Sequence, residues 1–241
     1  MVRELTSPTL EQTSYENWDT FYALIQDFPH KDQLKISFAY QKVKTEHAMQ
    51  PPRESGERYF EHLRAAALIL IKVGITDPDI IIAGLGHDLV EDTPKFKPEG
   101  FTNSERNANA FKKLQKWFGE RAAAMILDVT KLFVDDKEVF TKEQAHQIYI
   151  ARLYQTPPES LLVKMADRLH NIRTLGARSI AKQKEIIEET RTVYLPLFDL
   201  LLLDWLAAYL LIVNESESIY FCYHLLFFRS PRFSFLETLL A

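Results

Sequence analysis

At 241 residues, with 46% apolar side chains and seven glycines, the chain is long enough for one sizeable buried core and is written mainly for helix. Its net charge of −4 argues against a general nucleic-acid binder, which carries a basic surplus, but not against a small anionic ligand held by a local basic cluster. The single cysteine, Cys222, excludes an internal disulfide and a cysteine-rich metal site.

The opening stretch, MVRELTSPTLEQTSYENWDTF, lacks the basic start and apolar core of a signal peptide, so a cytoplasmic location is expected. Residues 8–29 read as an amphipathic helix, with Tyr15, Trp18, Phe21, Tyr22 and Ile25 near helical spacing. Residues 31–49 form a second. Two prolines and Gly56 make Met49–Gly56 a loop, and residues 57–73 form a third helix carrying His62. Asp77-Pro78 is a cap followed by a first-turn proline, and predicts the start of a helix running into Ile80–Thr93.

Beyond the loop containing Pro94 and Pro98, Thr102 and Glu105 predict a capping box for a helix to Phe118. Gly119 interrupts, and residues 120–134 are expected to continue helical through Asp128-Val-Thr-Lys-Leu132. Asp135-Asp136-Lys137 reads as a charged turn. Thr141 and Gln144 predict a second capping box, for a helix to Gln155. Thr156-Pro157-Pro158-Glu159 caps the helix that holds Lys164–Gly176, and residues 179–192 form another. Residues 195–213 are nearly long enough to cross a bilayer, but Asp199 and Asp204 each cost roughly 2.5–3.5 kcal/mol at its centre, so a buried helix is expected and no membrane contact. Ile219–Phe228 is a second apolar block, read as a packed segment or a homo-oligomer contact. No stretch alternates with period two for long enough to make a convincing strand. The expectation is an all-α domain.

The chemistry concentrates in IIIAGLGHDLVEDT, Ile80–Thr93. An apolar run leads into His87-Asp88, and Glu91 and Asp92 follow one turn later. On a continuous helix His87 stacks with Glu91, and Asp88 with Asp92. Four ionisable groups at the end of an interior segment need compensation, because burying unpartnered charge is costly. A divalent cation on His87 and Asp88 supplies it and leaves Glu91 and Asp92 for proton transfer. His62 and Asp167 offer further ligands from two other helices. Two imidazoles with two carboxylates suit manganese, iron, cobalt or zinc better than calcium. On the helix of Asp167, residues Lys164, Asp167, Asn171 and Thr174 form a polar stripe, while Leu161, Met165, Leu169 and Ile172 form an apolar one. That pattern predicts a helix lining a pocket, and Lys131, Lys164 and Arg168 are available to balance phosphate charge.

The segments GHDLVEDT (86–93), DVTKL (128–132) and KMADRLHNIRTL (164–175) resemble the hydrolase domain of the RelA/SpoT alarmone family, an HD-domain helical bundle. RESGERYFEH (53–62) fits the loop before its first ligand histidine, and Glu188–Leu197 also matches. The resemblance covers roughly residues 31–200, with residues 1–30 as an N-terminal helix packed on the domain and 201–241 as an apolar helical extension. It implies a manganese-dependent enzyme that removes pyrophosphate from the ribose 3′ position of (p)ppGpp, giving GDP or GTP. His62, His87, Asp88 and Asp167 match its metal ligands, and Glu91 and Asp92 its acidic pair. Arg53 matches a basic residue near the guanine, and Asn171 and Thr174 match nucleotide contacts.

The chain departs from the family pattern at three places. Glu54 stands where a second basic residue is usual, Leu63 where proline is common, and Gly86 where leucine is common. Glu54 beside a tetra-anionic nucleotide bears on which substrate is preferred. Only residues 201–241 follow Leu200, so a stand-alone hydrolase without a synthetase domain is expected. Two rival readings remain: an HD phosphohydrolase acting on another nucleotide phosphate, and a non-catalytic module that binds the alarmone.

Overall fold

The computed structural model describes residues 18–97, 99, 101–131 and 141–199. They form helices α1 (Trp18–Leu24), α2 (His30–Glu46), α3 (Tyr59–Lys72), α4 (Pro78–Gly86), α5 (Leu89–Asp92), α6 (Asn103–Phe118), α7 (Glu120–Val129), α8 (Lys142–Leu153) and α9 (Pro158–Arg173), then α10 (Ile180–Glu189), a π-helical turn (Thr190–Tyr194) and α11 (Leu195–Asp199). Among the described residues there is no strand, so the fold is all-α. The expectations for residues 1–17, for the Asp135–Lys137 turn and for the two apolar blocks beyond Asp199 lie outside the described residues. No helix among the described residues is long and apolar enough to cross a membrane.

The core is arranged around α4. Its Ile80–Gly86 run is buried all round, and it packs against α2, α3, α7 and α9. A helix that is apolar on every face has no solvent side, so its neighbours must close over it completely. They do so with Ile36, Ala39 and Val43 of α2, Leu63, Ala66 and Ala67 of α3, Ala122 and Ile126 of α7, and Val163 and Ala166 of α9, each at most 1% exposed. Close approach also depends on glycine: a Cβ on Gly84 would stand 2.6 Å from Leu70 Cδ1 and 3.4 Å from the Ala67 Cα.

Local start signals hold. Asp77 accepts from the Asp79 amide and Pro78 occupies the first turn of α4. Thr102 with Glu105 and Thr141 with Gln144 form complete capping boxes at α6 and α8. Two stretches differ from expectation. The helix expected to run through residues 80–93 is broken at His87-Asp88: α4 ends at Gly86 and a separate turn, α5, begins at Leu89. Asp88 has a ψ near zero and is the N-cap of α5, its carbonyl accepting from the Asp92 amide at 2.9 Å. The helix expected over 120–134 stops at Val129, where the Thr130 amide turns back to the Ile126 and Leu127 carbonyls.

The chain divides into two compact units between Ala177 and Arg178. In the second unit, α10 passes into the π-helical turn without a change of direction at its cap, and Tyr194 meets Phe198 at 5.8 Å between ring centres.

Candidate metal centre

Three elements of the first unit deliver the site. His62 comes from the buried face of α3, His87 and Asp88 from the break after α4, and Asp167 from the middle of α9. His62 Nε2 lies 3.2 Å from His87 Nε2, 3.1 Å from Asp167 Oδ1 and 3.7 Å from Asp88 Oδ2. His87 Nε2 lies 3.4 Å from Asp88 Oδ1 and 3.5 Å from Asp167 Oδ1. His62, His87 and Asp167 are at most 5% exposed; Asp88 is the opening to solvent, its side chain 19% exposed.

The imidazole tautomers follow from their outer partners. His87 Nδ1 is 2.9 Å from the Gly84 carbonyl, which only accepts, so Nδ1 carries the proton and Nε2 presents a lone pair. His62 Nδ1 faces His170 Nδ1 at 2.8 Å. Burial, then the neighbouring His62 and Arg53, hold His170 well below its usual range, so it is neutral and can accept from His62. Glu57 stands 3.9 Å from the other nitrogen of His170, near enough for its charge to act on the ring but not to hydrogen-bond it. Two nitrogen lone pairs and two carboxylates thus converge, with three of the four groups within 4.8 Å of one another. Outer hydrogen bonds of this kind orient metal-ligating histidines. The residues fit a divalent cation.

Titration points the same way. Burial alone would push His87 down, but Asp88 and Asp167 outweigh it and raise its pKa to about 9. A proton and a divalent cation therefore compete for the same centre. In metal-free protein the raised His87 stabilises the fold fully below its ordinary 6.5, and this is lost as pH rises through about 9. His62 and His170 are depressed, so their contribution is lost only as pH falls below 6.5. We expect the melting temperature of chelator-treated protein to fall between pH 6.5 and 9, and affinity for a divalent cation to rise over the same interval. A flat melting profile would contradict this reading of the cluster.

The acidic pair lies beside the centre but not stacked as a helix would stack it. Glu91 Oε1 accepts from the Lys131 amide at 2.6 Å. Asp92 is held by the Tyr59 hydroxyl, which also reaches Asp88 Oδ2 at 2.9 Å. A phenol carries one proton, so both contacts are satisfied together only when one of the two carboxyls is protonated. Burial, then the charge on Asp88, raises Glu91 and Asp92 above their ordinary values, the direction that lets a carboxyl take up or give a proton. Tyr59 was not singled out in the sequence, and neither was His47, whose buried ring stacks on it at 5.4 Å and 11°. Both lie on the faces of helical or loop segments where an aromatic residue reads simply as core. Tyr59→Phe should lower kcat about tenfold with little change in KM, by releasing Asp92 from Asp88; steady-state kinetics checks this.

The remaining residues fall along α9. Lys164 Nζ donates to Asp167 Oδ2 at 2.8 Å, and Asn171 Nδ2 donates to Asp167 Oδ1 at 2.7 Å. Arg53 Nη2 donates to Asn171 Oδ1 at 2.6 Å. A tight turn places it there: Arg53 and Glu57 are bonded through the Arg53 amide, and Gly56 adopts a positive φ of 82° between them. Lys131 is exposed, and its Nζ is 5.8 Å from the Tyr149 ring centre. Arg168 is half-buried, about 100° round α9 from Asp167. Thr174 is the C-cap of α9, and its hydroxyl bonds the His170 carbonyl at 3.1 Å, a capping contact. Asp128 of the DVTKL segment accepts from Ser160 at 2.7 Å and ties α7 to α9. Of the departures, Leu63 is fully buried in the core and Glu54 is exposed beside Arg53.

An all-α bundle with a histidine–aspartate break at its centre defines a class. The HD-domain family matches residues 39–199, and the chain belongs to it. Among curated relatives it is 32% identical over 185 residues to the bifunctional (p)ppGpp synthase/hydrolase SpoT of Escherichia coli K12, covering 75% of this chain and 24% of the relative. It is 33% identical over 176 residues to the guanosine-3′,5′-bis(diphosphate) 3′-pyrophosphohydrolase of Aquifex aeolicus, covering 72% and 22%. The chain thus spans about a quarter of the length of these relatives. Among solved structures it is similar to one described as a metazoan ortholog of SpoT that hydrolyses ppGpp, at 23% identity and a TM-score of 0.48, over 66% of this chain and 86% of the other.

Proposed function

We propose that this chain is a metal-dependent phosphohydrolase that removes the 3′-diphosphate of guanosine alarmones, converting (p)ppGpp to GDP or GTP and pyrophosphate in the cytoplasm. The observation that carries this reading is the meeting of His62, His87, Asp88 and Asp167 around one point, with Glu91 and Asp92 beside it, in an HD-domain chain similar to proteins named for this reaction. We assign the catalytic domain to residues 31–200 and take manganese as the resident ion.

His62, His87, Asp88 and Asp167 would hold the cation. When bound, it supplies an acidified water and a polarised phosphoryl oxygen near neutral pH. The protein's own groups do the rest. Glu91 or Asp92 accepts the proton of the attacking water as its oxygen bonds to the 3′-linked phosphorus. The bond from that phosphorus to the ribose 3′ oxygen breaks, and the other acid returns a proton to that oxygen. Tyr59 keeps Asp92 next to Asp88. Arg53, positioned by Asn171, faces the nucleoside, and Lys131 and Lys164 offset phosphate charge.

Incubation with ppGpp and manganese should yield GDP and pyrophosphate in equal amounts, and a chelator should stop the reaction. The exposed Glu54 beside Arg53 motivates a panel of 3′- and 2′-phosphorylated guanine and adenine nucleotides. Preference for an adenine nucleotide would overturn the alarmone reading, and tight binding without turnover would make the chain a binding module.

A further inference from the structure

One ring outside the metal cluster gathers positive charge from three directions. Tyr149 of α8 is buried, its hydroxyl donating to the Val129 carbonyl at 2.9 Å. Lys131 Nζ, Arg152 Cζ and Lys164 Nζ lie 5.8, 5.7 and 5.6 Å from its ring centre. Three cations gathered at one ring repel one another, and the ring offsets only part of that. Carboxylates nearby offset part of that charge. Asp167 bonds Lys164, Glu91 accepts the Lys131 amide, and Asp128 accepts from Ser160. Arg152 spends Nη2 on the Thr130 and Asp128 carbonyls, while its buried Nε has no hydrogen-bond partner.

The position of the group is informative. Along α9 the order is Lys164, then Asp167 at the metal centre, then Asn171 bonded to Arg53. Lys164 and Asn171 are seven residues apart, roughly 10 Å at helical rise. Lys164, with the cationic group, and Asn171, with Arg53, thus lie on either side of Asp167 along α9.

We propose that Lys131, Arg152 and Lys164, set round Tyr149, seat the outer phosphate of the diphosphate that leaves, and that this end of the site binds inorganic pyrophosphate by itself. The proposal rests on the hydrolase reading for its place in the reaction, but its test does not. Arg152 and Tyr149 thereby join the substrate site, although neither stands in a segment that carries the family resemblance.

Calorimetric titration of the manganese-loaded full chain with sodium pyrophosphate tests it. The unaltered protein should bind pyrophosphate, and Arg152→Gln should weaken binding about tenfold with manganese affinity unchanged. Because Arg152 also holds the turn after α7, Lys131→Gln, an exposed change that keeps its backbone bond to Glu91, should weaken it as well. Unchanged affinity in both variants, or no binding by the unaltered protein, would overturn the proposal. So would GDP competing at this end where pyrophosphate does not. Pyrophosphate binding lost on substitution, in a protein that does not turn over ppGpp, would support this subsite while telling against the alarmone reaction.

Discussion

Asp167→Ala should reduce pyrophosphate release about a thousand-fold, a loss equalled only by removal of another proposed ligand. Its Oδ1 faces both imidazole nitrogens and its Oδ2 holds Lys164, so on the proposed reading removal takes a ligand from the cation and a partner from a half-buried ammonium. A metal supplies several kcal/mol to phosphoryl transfer, and each 1.36 kcal/mol is tenfold in rate. Asp167 lies well below the usual carboxylate range: burial opposes this, but Lys164 and then the two histidines overcome it, so the group is ionised throughout the working range. Asp167→Asn keeps the shape and most of the hydrogen bonding but removes that charge, and should also lose most activity. His87→Ala should match Asp167→Ala. Arg121→Ala, a surface change at the Asp77 bridge, is the control for handling. Rates at saturating manganese, alongside circular-dichroism melts, separate lost chemistry from lost folding. Turnover that persists in both ligand variants would remove the basis for the mechanism.

Gly86→Leu should be the most destabilising single change near the site. A Cβ there would stand 2.7 Å from Ile126 Cδ1, and 3.4 Å from both Ile126 Cγ1 and Leu89 Cδ1. Overpacking of a closed core costs typically 1–3 kcal/mol, so a loss of about 2 kcal/mol and a melting temperature lower by roughly 4–8 °C are expected. Leucine is common at this position in the family the chain resembles. Here Ile126 of α7 occupies the volume such a side chain would fill. The two positions should therefore couple: adding Ile126→Ala to Gly86→Leu should recover part of the loss, although Ile126→Ala alone is destabilising. Additive losses in the double variant would show that the space is not shared.

How much of this was legible beforehand depended on range. The capping boxes at Thr102 and Thr141 and the cap-proline start at Asp77 involve groups within three residues of one another, and local physics decides them. The all-α class followed from periodicity. The four metal-type residues were identifiable by motif, but periodicity alone predicted the wrong local geometry. It kept His87 and Asp88 on a continuous helix, whereas α4 ends at Gly86 and α5 starts afresh at Leu89. Tyr59 escaped notice because its partner lies 33 residues away in the chain. His170, read from its motif as structural and not a ligand, has a specific task that the sequence did not announce, because its partner His62 lies 108 residues away. Thr174 matches a nucleotide contact by its motif, and the structure adds a hydroxyl bond to the His170 carbonyl that the motif did not announce.

The Gly84 carbonyl belongs to the last turn of α4, where the helix itself offers no amide to meet it, and His87 supplies that donor. The imidazole is thereby anchored by the same bond that finishes the helix. Reloading a stripped protein then calls for no ring flip and no refolding of the break, only departure of a proton through the gap at Asp88. Uptake of the ion should be quick and set by acidity, so a brief acid wash followed by neutral buffer with manganese is the natural route to exchange it.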